Sequence, residues 1–485
     1  MNILLFTDSE YLYEYQLIAL KEFTNDNEDV HFSLFRHRDC ATKHHLSAII
    51  GKIDKRFSNY PLSSLKETHF NDTSLKIKLV HDLPSSQNIE NVLLLNGVNG
   101  TCRLLEELRD FTVFTFQYSE ENVFSNCLKK NDSVLSIITS PKGEINCYEI
   151  FKLKLGHELG IYNSRDKFLF YSGLYLGRCL KNNIAADSKK QSFEPLKIKR
   201  LLLPILVYYS LLVMKFALRK ISPYEFNWRI KLIREEQEYI LNQPNNTFWA
   251  DPFLIKKGKY HYVFFEELVN HKGEISVIKV DSELNFISKE SALIEDHHLS
   301  FPNIFEQNDR VYMLPESSAG NNLSIYECID FPTKWVKKIE LFSGKKLVDA
   351  VWIFHDNLYW IFANVINDFE YGNNEHLHVF YSHELLSNDW KPHPANPVIT
   401  DIEKSRNAGL IRNDDGKLVR VSQNCKRIYG ENLVFNEILC LTTSKYEEKT
   451  IRSELPAKEF YGMHTYNSCD EITVVDLLKK ERKAD

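Results

Sequence analysis

The sequence lacks the clustered cysteines and histidines that mark a structural metal site. It has nine cysteines in 485 residues, and no two of them are separated by only two residues. Zinc ligands usually come in such close pairs, and disulfide frameworks normally use an even number of cysteines. An odd, dispersed set is typical of reduced thiols inside a cytosolic protein. We therefore expect neither a metal ion nor a cofactor.

The sequence also lacks an excess of positive charge and a leader segment. A formal net charge of −6 provides no basic field, so we expect no nucleic-acid partner. Met1–Asp8 contains neither a basic start nor a long apolar stretch, and it predicts a first β-strand rather than a signal peptide. A cytoplasmic location is the expectation that follows.

No run of apolar residues is long enough to predict a membrane span. The segment Leu201–Met214 has fourteen uncharged residues, fewer than the ~20 that a helix needs to cross a bilayer. Lys197–Arg200 precedes this segment and Lys215 follows it. Two interpretations stay open: a helix buried between two domains, or a helix that lies on the inner membrane face as a peripheral contact.

The chain is too long for one ordinary domain. Over residues 1–125, apolar strands alternate with segments of helical periodicity, which predicts an α/β Rossmann-like domain over residues 1–190. Residues 191–225 are predicted to form an apolar and basic linker helix, and residues 226–485 a β-propeller. Within the latter, Trp228–Ile233 alternates as a strand and is expected to close the ring with the last blade.

Five hairpin-like segments recur in the C-terminal half. Each one runs as an apolar strand, turns and returns as a second strand. Their marker residues are Asp251, Pro302, Asp349, Asn407 and His464, with spacings of 51, 47, 58 and 57 residues. A period near 50 made of strands and tight turns predicts a five-bladed β-propeller, and hence a multi-domain chain with an α/β domain before it.

The innermost strands of a propeller all begin at the same end of the central channel, here called the mouth. Side chains at these strand starts, and at the ends of the second strands, are expected to converge there. Asp251, Glu316 and Asp349 each adjoin an apolar run, so burial is expected to raise their pKa values and suit them to acid–base chemistry on a sugar. The alternative is that each acid caps a turn at a strand end.

The predicted mouth also offers groups that bind hydroxyls and anions. Arg406 is expected to bind a charged group of the substrate or to neutralise the acids, and His464 to orient a hydroxyl or to be structural. The predicted substrate-binding residues are Glu267, Arg406, Asn407, Gln423, Asn424, Tyr429 and His464.

Two pairs of adjacent residues, one of glutamates and one of histidines, lie near the predicted mouth strands. Glu266 and Glu267 alternate on a strand, so only one of them can face the mouth, and Glu267 is preferred. His297 and His298 precede the second repeat. Because two adjacent histidines rarely bind one metal ion, both are expected to be solvent-exposed polar residues.

Several segments resemble a family of carbohydrate-related propellers. These segments are Trp249–Phe253, Pro315–Ser318, Val348–Trp352, Gln423–Cys425 and Tyr429–Gly430. The region around them resembles the five-bladed propeller at the N-terminus of plant glucosamine inositolphosphorylceramide transferases, which also occurs in bacterial surface-polysaccharide proteins. That propeller is similar to the one in arabinanase and β-xylosidase glycoside hydrolases. The resemblance implies that Asp251 is a base, that Asp349 tunes a pKa, and that His464 matches a histidine of the last blade.

The sequence departs from the hydrolases at their acid. Those enzymes carry a Glu in the fourth blade, where this sequence has Gln423 and Asn424, and Glu316 of the second blade is the nearest substitute. In the bacterial relatives a formyltransferase-like domain precedes the propeller. Residues 1–190 fit that layout in a degenerate form, because the Asn, His and Asp of formyl transfer are not visible.

We therefore expect a carbohydrate-active enzyme of cell-surface glycan biosynthesis, with a glycosyltransferase preferred. Its partners would be an activated sugar donor and a glycan or lipid-linked glycan acceptor. Asp251 would be the base or charge stabiliser, Glu316 the acid/base and Asp349 the tuner. Two alternatives remain: an intracellular glycoside hydrolase acting on furanosides or pentosides, and a non-catalytic glycan-binding scaffold.

Overall fold

The computed structural model describes most of the chain. The described residues are 2–7, 11–24, 30–36, 67–80, 89, 91–97, 103–129, 131–144, 146–156, 161–181, 202–244, 247–366, 374–414 and 416–482. The chain divides into two compact units, Met1–Lys215 and Phe216–Asp485. The part of the predicted 191–225 linker that precedes Leu202 lies outside the described residues.

The first unit contains one mixed sheet of seven strands. The sheet order is β5-β3-β1-β6-β7-β8-β9, in which the first five strands are parallel and the last two antiparallel. Strands β2 and β4 pair separately. An α/β layer is present, and its Rossmann-like classification stays a prediction. The strands are β1 Asn2–Thr7, β2 Tyr11–Tyr13, β3 His31–Arg36, β4 Glu67–His69, β5 Ile77–Val80, β6 Asn91–Leu94, β7 Thr112–Phe116, β8 Ser133–Ser140 and β9 Tyr148–Leu155.

Five α-helices are present among the described residues. They are α1 Glu14–Thr24, α2 Arg103–Glu107, α3 Glu120–Lys129, α4 Ile161–Lys181 and α5 Leu202–Ile221, with short 3-10 turns at Phe70–Asp72 and Ser318–Gly320. Helix α4 packs on α1, and an ion pair of 2.8 Å joins Arg178 Nε to Glu22 Oε1. Helix α5 confirms that the apolar segment is helical. No helix in the described part of the chain is long and apolar enough to cross a membrane.

The second unit is a five-bladed β-propeller, as the repeat predicted. Its blades are β12–β15, β16–β19, β20–β24, β25–β29 and, for the fifth, β30, β31, β10 and β11. The strands are β10 Tyr224–Arg234, β11 Gln237–Ile240, β12 Trp249–Lys257, β13 Tyr260–Val269, β14 Lys272–Val280, β15 Phe286–Leu293, β16 Ser300–Gln307, β17 Arg310–Glu316, β18 Leu323–Asp330, β19 Lys334–Leu341, β20 Lys346–His355, β21 Leu358–Ile366, β22 His376–Ser382, β23 Lys391–Pro392, β24 Ile399–Thr400, β25 Arg406–Asn407, β26 Arg412–Asp414, β27 Lys417–Asn424, β28 Asn432–Leu441, β29 Tyr446–Glu454, β30 Tyr466–Cys469 and β31 Ile472–Arg482.

The ring is closed by strands from both ends of the propeller sequence. Strand β10 pairs antiparallel with β31 along its whole length, from Tyr224 opposite Arg482 to Arg234 opposite Ile472. This pairing confirms the closing role expected of Trp228–Ile233. Apolar side chains such as Phe253 and Phe301, with ring centroids 4.8 Å apart, fill the space between neighbouring blades. Each such side chain contributes about 2 kcal/mol by its burial.

A β-bulge opens the innermost strand of the first three blades. The bulged residues are Asp251, Phe301 and Asp349, whose φ angles are 53°, 45° and 48°. A left-handed residue at a bulge bends the strand and redirects its side chain. The second blade therefore has Phe301 at the position of the two acids, one residue before the expected marker Pro302. The spacing of repeats could not reveal this one-residue offset.

Gly409 provides a test of the close contact between the fourth and fifth blades. Its φ is +146°, and a Cβ atom there would lie 2.0 Å from the carbonyl oxygen of Tyr466. We expect Gly409→Ala to lower the free energy of unfolding by about 3 kcal/mol or more, because strain and overlap add. All six tryptophans lie in the second unit, so their fluorescence during urea unfolding reports on the propeller.

Gly258→Ala is the matched control for this prediction. Gly258 has a φ of +62°, but a Cβ atom there would meet nothing within 4 Å. The cost should be about 1 kcal/mol, from backbone strain alone. Equal losses in the two variants would contradict the proposed blade contact.

Candidate functional site

The mouth is built by a backbone contact that recurs between blades. The bulged Asp251 donates its N–H to Asp476 Oδ2 at 3.0 Å, and the bulged Asp349 donates its N–H to Glu316 Oε2 at 3.2 Å. In each case the acceptor is an acid on the second strand of the preceding blade. The contact therefore brings two acids of adjacent blades together at the mouth end of the channel.

The first acid pair surrounds His464. Its Nε2 lies 2.9 Å from Asp251 Oδ1, and its Nδ1 lies 2.9 Å from Asp476 Oδ2. Thr465 Oγ1 also donates to Asp251 Oδ1 at 3.0 Å. Burial lowers the pKa of His464, but the charges of Asp476 and Asp251 outweigh it and raise that pKa to about 10. The imidazolium in turn holds the pKa of Asp251 below its ordinary value despite burial.

The second acid cluster centres on Asp349. Arg406 Nε donates to Asp349 Oδ2 at 2.6 Å, and Gln423 Nε2 donates to the same oxygen at 3.1 Å. Burial raises the pKa of Asp349, against the opposing effect of Arg406. The guanidinium of Arg406 also lies 4.8 Å from the ring centroid of Tyr429, whose side chain is exposed at the surface.

Glu316 is the most accessible of the three predicted catalytic acids. Asp251 and Asp349 are 5% and 2% exposed, whereas Glu316 is partly exposed. Ser318 Oγ donates to Glu316 Oε1 at 2.7 Å. Burial of its carboxyl and the negative charge of Asp349 raise the pKa of Glu316 to about 8. This carboxyl therefore carries a proton at neutral pH.

The two clusters lie close enough for their charges to interact. The negative charge of Asp251 adds to the rise in the pKa of Asp349, and the positive charge of Arg406 helps to lower the pKa of Asp251. The structure therefore brings Asp251, Glu316 and Asp349 to one place, together with Arg406, as the repeat predicted.

Three of the predicted substrate-binding residues make structural contacts, and their role in binding stays a prediction. Asn407 is fully buried and donates to the carbonyl oxygens of Asp349 and Phe362, and thus joins two blades. Asn424 holds the turn that follows β27, because its Oδ1 accepts from the N–H of Lys426. Gln423 is also fully buried, and its Nε2 donates to Asp349 Oδ2.

Glu267 does not face the mouth, which corrects the choice between the two adjacent acids. Its carboxylate accepts from Trp249 Nε1 at 3.0 Å and from Ser276 Oγ at 2.6 Å, and it pairs with Lys289. Glu266 instead lies near Asp251, whose charge helps to raise the pKa of Glu266 after the larger effect of burial. Alternation on the strand showed that only one could face the mouth, but not which one.

The sequence interpretation missed Asp476 and His298 as well as Glu266. Asp476 follows the apolar run of the second strand in the fifth repeat, as Glu316 does in the second repeat, so its equivalence to Glu316 was a usable signal. His298 Nε2 lies 3.0 Å from Glu266 Oε1, and its side chain is 40% exposed. No local sequence pattern indicates that contact, because 31 residues lie between Glu266 and His298 and the two meet only through the folding of the chain.

One cluster in the described part of the chain has the composition of a metal site. A ligand atom from each of Asp251, His464 and Asp476 lies within 4.8 Å of the others. One imidazole and two carboxylates are suitable ligands for a divalent cation. In this arrangement, however, both ring nitrogens face the carboxylates, and the imidazolium supplies the neutralising charge itself.

The family model that matches this chain lies within the propeller. Residues 239–476 match the family described as glucosamine inositolphosphorylceramide transferase 1, N-terminal. The chain is 34% identical over 229 residues to glucosamine inositolphosphorylceramide transferase 1 of Arabidopsis thaliana, which covers 46% of this chain and 29% of that protein. The protein of the same name from Oryza sativa subsp. japonica is 31% identical over 210 residues, covering 42% and 28%. The chain thus spans less than a third of the length of these curated relatives.

Solved structures of glycoside hydrolases show a distant similarity. A GH43 β-xylosidase/α-arabinofuranosidase from a compost microbial metagenome is 10% identical, with a TM-score of 0.37, and covers 49% of this chain and 92% of that one. A family 117 glycoside hydrolase from Zobellia galactanivorans is 9% identical, with a TM-score of 0.36, covering 53% and 92%. Nothing follows from this similarity for the chemistry of the chain. The family match starts at residue 239, so it lends no support to a formyltransferase-like region over residues 1–190.

The buried ion pairs of His464 should make the free energy of unfolding depend on pH. Its pKa is about 10 in the folded chain and about 6.5 as a free side chain, so its stabilising effect is complete below pH 6.5 and is lost as the pH rises towards 10. We expect His464→Gln to lower the free energy of unfolding by about 3 kcal/mol at pH 6. The difference from the wild type should shrink as the pH approaches 10.

Urea unfolding followed by tryptophan fluorescence at pH 6, 8 and 10 measures this difference. His383→Gln is the control, because His383 is exposed. It should unfold like the wild type at each pH. A loss in His464→Gln that stays constant or grows with pH would contradict the ion-pair assignment.

Proposed function

We propose that the propeller mouth catalyses the transfer of a sugar from an activated donor to a glycan or lipid-linked acceptor, in the assembly of a cell-surface glycan. The observation that carries the proposal is the presence at one mouth of two carboxyl groups with different neighbours, Glu316 beside Asp349 and Asp251 beside His464. Glu316 has a pKa of about 8, while the pKa of Asp251 is held below its ordinary value. Acid–base chemistry at an anomeric carbon needs such a pair.

Each acid has a definite task in this proposal. The acceptor hydroxyl attacks the anomeric carbon, forms the new C–O bond and gives up its proton to a basic group of the mouth or to solvent, while the bond to the leaving group breaks. Glu316 donates its proton to the leaving oxygen, and the carboxylate of Asp251 stabilises the positive charge that develops on the sugar. Asp349 and Arg406 set the pKa of Glu316 from opposite directions. Tyr429 offers an exposed aromatic ring beside Arg406 for contact with the sugar.

The names of the matched relatives support a lipid acceptor and a sugar donor. Their name, glucosamine inositolphosphorylceramide transferase 1, contains a sugar, a lipid and the word transferase. Because the match covers less than a third of those proteins, a shared activity is part of our proposal and does not follow from the match alone. An acceptor that joins a sugar or polyol to a lipid anchor would present hydroxyl groups to the mouth.

Direct transfer is the test of the proposed function. The full chain is incubated with sugar nucleotides and with glycan and lipid-linked acceptors, and products are identified by mass spectrometry. We expect transfer by the wild type, and a rate about 100-fold lower or less in Asp251→Asn and Glu316→Gln, because each loses a group that acts in the transition state.

Asp356→Asn is the matched control for the transfer experiment. Asp356 also has a positive φ of 48°, but it lies at an exposed turn of the third blade. It should transfer at the wild-type rate. Full transfer by Asp251→Asn, or sugar binding by the wild type without any turnover, would reject the proposal, and the second result would favour a glycan-binding scaffold.

Glycoside hydrolysis is the second candidate, and the same observation favours it. A protonated Glu316 and an ionised Asp251 at the same mouth would also serve if water replaced the acceptor hydroxyl. Incubation with aryl pentosides and aryl furanosides distinguishes the two. Release of the aryl alcohol without any transfer to an acceptor would select hydrolysis.

We further propose that the protein acts in the cytoplasm and rests on the inner membrane face through helix α5. Val207, Leu211, Met214 and Leu218 recur at spacings of four, three and four, so they share one face of the helix, and each is about half exposed. Tyr209 and Leu212 are buried. An exposed apolar stripe with basic residues nearby suits a helix at a membrane surface.

Co-sedimentation with vesicles containing anionic lipid tests this contact. We expect the wild-type chain to sediment with the vesicles, and the double variant Leu211→Glu, Met214→Glu to bind about tenfold less, since it places charge on the apolar stripe. Ile329→Glu is the control, because Ile329 is equally exposed on the propeller. A wild-type chain that stays in the supernatant would contradict the proposal.

A further inference from the structure

Glu266 occupies the same position in the first blade as Glu316 in the second. Glu266 lies opposite Ala250, just before the bulge at Asp251, and Glu316 lies opposite Ser300, just before the bulge at Phe301. Each acid therefore lies on the second strand of its blade, opposite the residue that precedes the bulge. Internal repetition thus places a second glutamate where the first one is expected to act.

Glu266 differs from its counterparts in the contact that it makes. Asp476 and Glu316 each accept the bulge N–H of the following blade, whereas Glu266 makes no such bond to Phe301. Its Oε1 lies 3.0 Å from His298 Nε2. Among the described residues, Glu266 Oε2 has no hydrogen-bond partner. One carboxylate oxygen is thus anchored while the other is left for a ligand.

The backbone holds His298 in one tautomer and orientation. Gly273 donates its N–H to His298 Nδ1 at 2.9 Å, so Nδ1 is an acceptor and Nε2 carries the hydrogen that faces Glu266. A Cβ atom on Gly273 would lie 2.7 Å from the ring, so a side chain there would displace it. The ring therefore accepts a hydrogen bond at Nδ1 and donates one from Nε2, and this arrangement is suited to orienting a carboxylate.

The charges around this pair fit a proton-transfer role. The charged groups that face Glu266 are His298, Asp251 and His464. Burial and, to a lesser degree, the charge of Asp251 raise the pKa of Glu266, while the bond from His298 lowers it. The bond to Glu266 also raises the pKa of His298. Glu266 is 7% exposed, so its carboxyl is largely shielded from solvent.

We propose that Glu266 is a further catalytic residue of the mouth, which takes the proton of the attacking acceptor hydroxyl, and that His298 is its positioning residue. This inference rests on the proposed sugar transfer. The hydroxyl oxygen forms its bond to the anomeric carbon while its proton passes to Glu266 Oε2. The bond to the leaving group breaks, and the leaving oxygen takes the proton of Glu316. The mouth thus loses one proton and gains one in each turnover.

Steady-state kinetics with the sugar donors and acceptors that the wild-type chain uses test these roles. We expect Glu266→Gln to lower kcat about 100-fold with KM almost unchanged. His298→Ala should lower kcat about tenfold and move the acidic limb of the pH profile to higher pH, because the bond that lowers the pKa of Glu266 is gone. His298→Gln retains a donor and should recover most of the rate. Glu290→Gln, at an exposed position, is the control.

Two outcomes separate this inference from the proposed function. If the wild type transfers sugar and Glu266→Gln does so equally well, the inference is wrong and the proposed function stands. If the wild type shows no turnover, the proposed function falls, and ¹⁵N NMR of the His298 ring decides whether the pair exists. An Nε2-protonated ring whose pKa falls in Glu266→Gln supports the pair, whereas an Nδ1-protonated ring overturns it.

Discussion

The mouth of this propeller depends on a bond between the backbone of one blade and the acid of the blade before it. Asp251 and Asp349 both sit at bulges with left-handed φ angles, and their N–H groups point at Asp476 and Glu316. Such a conformation costs about 1–3 kcal/mol at a residue other than glycine, so surrounding contacts must hold it. The bond to an acid is one of those contacts, and it also sets the acids side by side.

Burying several carboxyl groups in one place is unfavourable unless each is neutralised. The molecule uses two different solutions. His464 lies between Asp251 and Asp476, and its raised pKa of about 10 keeps the imidazole charged at neutral pH. Arg406 and Gln423 donate hydrogen bonds to Asp349. Glu316 receives only a hydroxyl and a backbone N–H, and it retains its proton instead. The unequal pairing of similar acids is what separates their protonation states.

The stability of the ring has a separate origin from the chemistry of the mouth. Closure comes from the pairing of β10 with β31, and cohesion from apolar side chains between the blades. The apolar contacts between blades therefore involve different side chains from the acids of the mouth.

The number of blades could be predicted from the sequence because hairpins and turns are local patterns with a regular period. Ring closure by Trp228–Ile233 and the convergence of Asp251, Glu316 and Asp349 followed from that topology. Which of Glu266 and Glu267 faces the mouth could not be predicted. The alternation of a strand shows that neighbours point to opposite sides, but not which neighbour points to which side. Two features depend on packing between blades rather than on neighbouring sequence. One is the bulge that places Phe301 near the start of the innermost strand of the second blade, and the other is the bond from His298 to Glu266.

The most direct test of this account is the protonation of Glu316 in the folded chain. Its carboxyl carbon can be followed by ¹³C NMR across pH 4 to 10, with Glu316→Gln to identify the signal. The account predicts a midpoint near the pKa of about 8 and a lower midpoint in Asp349→Asn, since the negative charge of Asp349 helps to raise that pKa. A midpoint near the ordinary value of 4.5 would show that the mouth does not hold a proton donor at neutral pH.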